Sequence, residues 1–380
     1  MFILFYITVV LLIFYGILIG YYEIAWKKIP NFNYRNLTER ARTKVSVIIP
    51  ARNEADNIVK CLNSISRQTY PKELTEVIVI NDHSTDDTEE MIKTFAGANI
   101  KLINLRDHVD SNTINSYKKK AIEVAIASSS GDLIITTDAD CTAMPDWITC
   151  LVAYHQRYNA ALIAAPVKIN ANRSLLSVFQ SIDFLTLQGI TGASVSAKFH
   201  SMCNGANLAY EKKVFYQVDG FKNIDNIASG DDMLLMHKIA VKYPDRFLFV
   251  KNSSAIVSTQ PALTWTAFLH QRIRWASKAD KFEDKRIFFV LMLVYFLNLC
   301  LLILLLAALW NISWLFFFLL LILIKTTLEF SFVSRVASFF KQQSLMVYFP
   351  FLQPLHIIYT VFAGWFGKFG TYEWKSRKVK

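Results

Sequence analysis

The first 22 residues, MFILFYITVVLLIFYGILIGYY, carry no charged side chain. A run of about 21 apolar residues can cross a hydrocarbon core of roughly 30 Å as a helix. Any fold of this chain must give that segment an apolar environment. A secretory signal is the rival reading. It requires a basic leading segment, a shorter apolar stretch and a small-residue cleavage site. None is present, and bulky Tyr21, Tyr22 and Trp26 stand at its end. The sequence therefore predicts an anchor over residues 1–24. Lys27, Lys28 and Arg35 follow, and the positive-inside rule sets what comes next in the cytoplasm.

The chain has 380 residues, 53% of them hydrophobic, and a formal net charge of +11. Segregation reconciles these figures. Residues 43–280 are mixed in character and read as one soluble domain of about 240 residues, a usual domain size. The region 286–367 turns apolar again and divides into two to three segments: 287–309, 312–324 with a possible extension to 333, and 345–367. Asn311 marks a tight hairpin between the first two. Lys325 and Glu329 stand four apart and are expected to pair. Pro350 and Pro354 interrupt helical hydrogen bonding in the last segment, which is therefore expected to re-enter or lie in the interface. The basic tail, 368–380, also belongs in the cytoplasm. Cys61, Cys141, Cys150, Cys203 and Cys300 are scattered and are expected to be free thiols.

Within the mixed region, VSVII (residues 45–49) and EVIVI (76–80) read as buried strands. ANIKLINL and DLIITT (132–137) supply two more. Helical stretches separate them at 54–66, near 86–95 and over KKKAIEVAIAS. This alternation predicts an α/β domain with a parallel sheet covered on both faces. Ligands bind such sheets outside the carboxyl ends of the strands. The polar clusters Asn53-Glu54, Asn81-Asp82 and Asp138-Ala139-Asp140 fall at that edge. No glycine-rich dinucleotide loop or phosphate-loop lysine is present. Asp138 and Asp140 flank one residue, so both side chains face one way on extended backbone. Such a pair suits a hard divalent cation that keeps waters and gathers phosphate oxygens. The plain alternative is a turn capping the helix near Pro145.

Further on, HSMCNGANLAYEKKVFYQVDGF reads as a loop around Gly205 followed by a short helix. Asn204 and Asn207 could hydrogen-bond a polyhydroxylated ligand, or serve as turn residues. Asp231 and Asp232 open an amphipathic helix. They could cap it, or one could act as a general base. QRIRW (271–275) falls on an amphipathic helix over about 262–278. There Gln271, Arg274 and Trp275 share a face while Arg272 points away. The surrounding PALTWTAFLHQRIRW also fits a helix lying in a membrane interface.

VSVIIPARNEADNI, VIVINDHSTDDT, TTDADC, CNGANLAY, SGDD and QRIRW, in this order and spacing, resemble the membrane-bound family 2 glycosyltransferases with a GT-A domain. The resemblance covers about residues 45–275 and extends to the flanking layout. It implies a Rossmann-like GT-A domain between an N-terminal transmembrane helix and C-terminal membrane segments. It also implies that Pro50, Ala51 and Glu54 border the nucleotide base and that Asp82 contacts the uracil or its ribose. Asp138 would approach the ribose and diphosphate, and Asp140 would hold Mg²⁺ or Mn²⁺. Asp232, with Asp231 beside it, would be the base; Gln271, Arg274 and Trp275 would complete the catalytic set. Asn204, Gly205 and Asn207 are candidates for the acceptor sugar. Asn81 stands where the family commonly has the first of two acids, and Asp231 where it commonly has Glu.

The expected activity is inverting transfer from a nucleotide-sugar, most simply a UDP-sugar, to a lipid-linked or saccharide acceptor. A single transfer or short additions are favoured over long-chain synthesis, because few membrane segments leave little material for a channel. Two other classes compete with this reading. A catalytically silent scaffold that binds nucleotide-sugar would be marked by loss of the acids, which are present. A nucleic-acid partner is disfavoured, because the basic residues lie largely beside apolar segments, where anionic lipid accounts for them.

Overall fold

The computed structural model describes residues 2–35, 42–95, 99–109, 116–224, 230–277, 284–369, 372–374 and 377–379. In chain order, α1 (Phe2–Lys28) precedes β1 (Val45–Ala51), α2 (Ile58–Ser66), β2 (Thr75–Asn81), α3 (Thr88–Lys93), β3 (Ile100–Asn104), α4 (Tyr117–Ala127) and β4 (Leu133–Thr136). Next come β5 (Thr142–Ala143), α5 (Trp147–Tyr158), β6 (Leu162–Ala164), β7 (Val167–Ile169), α6 (Leu175–Ser196), β8 (Leu208–Glu211), α7 (Lys212–Gln217), α8 (Asp231–Lys242), β9 (Phe247–Phe249) and β10 (Val257–Thr259). The last part holds α9 (Trp265–Ala276), α10 (Lys285–Ala307), α11 (Ser313–Phe339), α12 (Phe349–Phe369), β11 (Tyr372–Trp374) and β12 (Arg377–Val379). Contacts divide the chain into two compact units. A sheet unit takes residues 30–168 and 201–260, and a helical unit takes 1–29, 169–200 and 261–380.

The sheet unit is built on seven strands in the order β3-β2-β1-β4-β8-β6-β9. β3, β2, β1 and β4 run parallel, with Ala51 opposite Asn81 and Ile48 opposite Thr136. Val47, Ile48, Ile49, Ile78, Val79, Ile134 and Ile135 are fully buried. This is why β1, β2 and β4 read as continuous apolar runs rather than alternating ones. The sheet is not parallel throughout, as the alternation suggested. β8 lies antiparallel between β4 and β6. Its four residues sit between a polar loop and α7, too short to show a period.

Asn207, just before β8, is fully buried. Its Oδ1 accepts from Trp147 Nε1 at 2.9 Å, and its Nδ2 donates to the carbonyls of Pro166 and Ala255, each at 2.8 Å. With its amide wholly engaged, Asn207 braces the framework. This corrects its reading as a sugar contact.

In the helical unit, α1, α10 and α11 are each long and apolar enough to cross a membrane. The proline-bearing segment forms one helix, α12. Pro350 lies in its first turn, where the missing N–H costs nothing, and Pro354 lies one turn on. α11 runs to Phe339, so Lys325 and Glu329 stand mid-helix and buried rather than at a helix end. Lys325 Nζ lies 2.7 Å from Glu329 Oε1 and donates to Gln353 Oε1 at 2.8 Å. Gln353 Nε2 donates to Glu329 Oε2 at 2.7 Å, and Tyr15 Oη donates to Glu329 Oε1. One buried network thus joins α1, α11 and α12.

Removing one member of a buried ion pair strands the other, at a cost of about 3–5 kcal/mol. Glu329→Ala should therefore lower the unfolding temperature in detergent sharply. Adding Lys325→Met should recover most of the loss.

Candidate active site

The site residues of the sheet unit stand on turns at the carboxyl ends of β1, β2 and β4. Two of these turns clasp each other. The Asn53 N–H donates to Ser84 Oγ at 3.1 Å, and Asn53 Oδ1 accepts from the Thr85 N–H at 2.9 Å. Asn53 is left-handed, at φ 49°, a conformation that Asn tolerates better than most residues. The Glu54 N–H donates to Thr88 Oγ1 at 2.8 Å, and the Ala55 N–H to Asp86 Oδ2 at 3.1 Å. The Asp82 N–H donates to the Ala51 carbonyl at 2.8 Å. This bond extends the parallel pairing one residue beyond the strands and fixes Asp82 beside Pro50 and Ala51. The Asp82 carboxylate is buried, 3.0 Å from His83 Nδ1 and 3.9 Å from Arg52 Nη1.

Asn81 faces elsewhere. Its Nδ2 donates to Asn104 Oδ1 at 2.9 Å and to Glu89 Oε2 at 3.3 Å, while its Oδ1 accepts from the Ser84 N–H at 3.1 Å. The amide is needed there because two of its partners are oxygens, one of them anionic. This accounts for the departure from a paired-acid pattern.

Asp138 and Asp140 follow β4. Lys118 Nζ, from the first turn of α4, lies 2.7 Å from Asp138 Oδ1. Asp140 Oδ2 accepts from Thr259 Oγ1 at 3.1 Å. Burial, then the Asp138 carboxylate, then Glu54, raise the Asp140 carboxyl above its ordinary range. A group raised in this way costs stability as pH rises through its folded value. A bound cation would remove that cost, so the donor set fits a hard divalent ion. Burial and the adjacent Asp140 and Asp138 carboxylates push the Cys141 thiol well up, and burial raises Cys61 likewise. Neither offers a thiolate, which leaves oxygen ligands. Among the described residues no group of three or more His, Cys, Asp or Glu is arranged to enclose a metal by itself.

Asp232 lies in the first turn of α8. Its Oδ2 accepts from the Gly205 N–H at 2.8 Å and its Oδ1 from the Met233 N–H at 2.8 Å. The Gly205 carbonyl accepts from Thr136 Oγ1 at 3.2 Å. A Cβ on Gly205 would stand 3.2 Å from the Asp232 Cβ, so only a bare backbone fits comfortably. Gly205 thus links β4 to Asp232. Asn204 Oδ1 accepts from the Ala206 N–H at 3.0 Å and shapes the same loop. The side chain of Asp231 lies outside the described residues.

Gln271, Arg274 and Trp275 lie on α9 in the helical unit, all half-buried. Arg272 does not point away as helical spacing suggested. It is the buried member of the motif, paired at 2.7 Å with Asp183 of α6. Sequence reasoning missed two charged partners. Lys118 was hidden in a run of three lysines. Asp183 is the lone charged residue of α6, a signal that could have marked it.

Comparison with known proteins bears on the family and the fold. A family model described as "Glycosyl transferase family 2" matches residues 46–218, and one described as "Glycosyl transferase family group 2" matches residues 133–366. A probable glycosyltransferase, YdaM of Bacillus subtilis, is 28% identical over 67% of this chain and 62% of its own length. Glycosyltransferase AglE of Haloferax volcanii is 39% identical over 50% of this chain and 59% of its own length. The matches thus span about three-fifths of these relatives. The solved mannosyltransferase PcManGT of Pyrobaculum calidifontis, in complex with GDP-Man and Mn²⁺, superposes with a TM-score of 0.55 at 18% identity. That superposition covers 93% of this chain and 99% of that one, and it shows the shared GT-A fold.

Asn81→Asp should destabilise the sheet unit by about 1–3 kcal/mol, the cost of losing buried donors. The new carboxyl would meet Glu89, so its pKa should be raised. The loss should be small below the carboxylate range and grow as pH rises through it. Denaturant unfolding at pH 4 and pH 8 checks this.

Proposed function

Because this chain belongs to the family 2 glycosyltransferases, we propose that it moves a sugar from a nucleoside-diphosphate donor to a lipid-linked or saccharide acceptor at a membrane. The observation that carries the reading is the gathering of Glu54, Asp138 and Asp140 beyond the parallel strands, with Asp232 tied to the same β4 edge through Gly205.

In this reading Pro50, Ala51, Glu54 and Asp82 border the base and ribose, and Asp138 approaches the diphosphate. Lys118 lies close enough to Asp138 to meet a phosphate oxygen as well. Asp140 would hold Mg²⁺ or Mn²⁺, which supplies neutralisation of the diphosphate charge. Asp232 accepts the proton of the acceptor hydroxyl as that oxygen attacks the anomeric carbon. The Gly205 N–H holds one carboxylate oxygen of Asp232 in place. Trp275 shelves the acceptor, Arg274 steadies the departing diphosphate, and Gln271 completes the set. In-line attack inverts the anomeric configuration.

A membrane setting is supported by three candidate spans among the described residues. Lys27 and Lys28 at the end of α1 favour the cytoplasmic side for residues 43–280. Crossings by α1, α10 and α11 would return the tail, 368–380, to that side, with α12 at the interface.

The test is nucleoside-diphosphate release by the detergent-purified chain against a panel of UDP- and GDP-sugars with Mn²⁺. Release should occur with one donor class and fall about 10²–10⁴-fold in Asp232→Asn, the usual worth of a general base. No release with any donor, together with no donor binding by calorimetry, would overturn the proposal.

A further inference from the structure

Arg272 stands between two assigned residues of the α9 motif, yet it has its own set of partners. Its guanidinium carbon lies 4.2 Å from the centre of the Trp275 ring and 4.9 Å from that of Phe268. Nη2 is 2.7 Å from Asp183 Oδ2, an ion pair whose two side chains are 4% and 5% exposed. The contact is not an aligned hydrogen bond, and Nε and Nη1 have no hydrogen-bond partner among the described residues. The aromatic faces and the carboxylate therefore carry most of the compensation for burying this cation. The other oxygen of Asp183 accepts from Tyr359 Oη of α12. His356 Nε2 stands 3.9 Å from that same oxygen. Phe184, next to Asp183, sets its ring 6.1 Å from that of Trp275.

We propose that Asp183 and Tyr359 are positioning residues that act through Arg272 on Trp275. One link follows from the next. Tyr359 and the helix packing orient the Asp183 carboxylate. Asp183 holds the Arg272 guanidinium, whose carbon lies over the indole ring. Helix geometry alone would not fix that indole, because χ1 and χ2 of a half-buried Trp leave several rotamers open. The guanidinium and the Phe184 ring restrict it to one. A buried cation with a single carboxylate partner cannot swing away without stranding both charges, so the restraint is stiff. Lys would keep the charge of Arg272 but not the flat face. The catalytic consequence rests on the role given above to Trp275; the conformational claim does not.

The experiment replaces the 8 tryptophans of the full chain with 5-fluorotryptophan and records ¹⁹F spectra in detergent. The Trp275 line is assigned by its loss in Trp275→Phe. In Asp183→Asn and in Arg272→Lys that line should shift and broaden while the others stay. The double variant should match the single ones, since both break one linkage. Tyr359→Phe, which removes one hydroxyl, should move the Trp275 line less and decides the matter should Asp183→Asn disturb every line. A Trp275 line unmoved in Arg272→Lys and Tyr359→Phe overturns the proposal. In nucleoside-diphosphate release, Asp183→Asn should lower kcat roughly tenfold, the scale of one desolvated cation–π contact, with donor KM unchanged. An unmoved kcat overturns the catalytic consequence. A wild type that releases nothing counts against the transferase reading instead, while the ¹⁹F lines still decide the positioning.

Discussion

Every charged group held away from water in this molecule must have its charge balanced or shared, and this constraint shapes both units. In the helical unit the balance is internal. Asp183 meets Arg272, and Glu329 meets Lys325 with Tyr15 and Gln353 around them. In the sheet unit it is incomplete. Lys118 answers Asp138, but Asp140 remains raised by burial and by its acidic neighbours. A framework residue in that condition would be a defect. In the proposed reading it is a capacity, because a divalent cation would bring the missing positive charge along with the donor diphosphate.

The division of labour among the turn residues sharpens this view. After β2, Ser84, Asp86 and Thr88 spend hydrogen bonds on joining the two turns, while Asn81 at the strand's end ties its own turn to β3 and α3. Asp82 is placed by its own backbone bond to Ala51. The loop around Gly205 works likewise: Asn204 and Asn207 shape and brace it, and the backbone of Gly205 reaches Asp232. Polar side chains in these motifs mostly build the edge, and the proposed reading leaves the chemistry to a few acids.

What was legible in the sequence follows from range. β1, β2 and β4 announced themselves because strands buried on both faces need unbroken apolar runs, and the acids at their ends then fell on one edge. The helices of the apolar regions were legible by length. β8 was not, since four residues carry no period and its antiparallel partners on β4 and β6 lie far away in sequence. Helical spacing set Arg272 apart from Gln271, Arg274 and Trp275, but spacing cannot say which face of an amphipathic helix meets a buried acid. That acid, Asp183, lies outside every motif. Asn207 looked like a sugar ligand because an amide's partners are invisible until Trp147, Pro166 and Ala255 come together around it.

The Tyr15 phenol belongs to a helix that otherwise reads as a plain apolar anchor. Its hydrogen bond to Glu329 spans 314 positions. During synthesis α1 is made long before α11, so α11 finds that donor already waiting when its acid enters the bundle. Another apolar segment of equal length could tether the chain, yet it would leave the Glu329 carboxylate one donor short. The N-terminal helix is in this sense an assembly partner as well as a tether, and its identity is written by one hydroxyl.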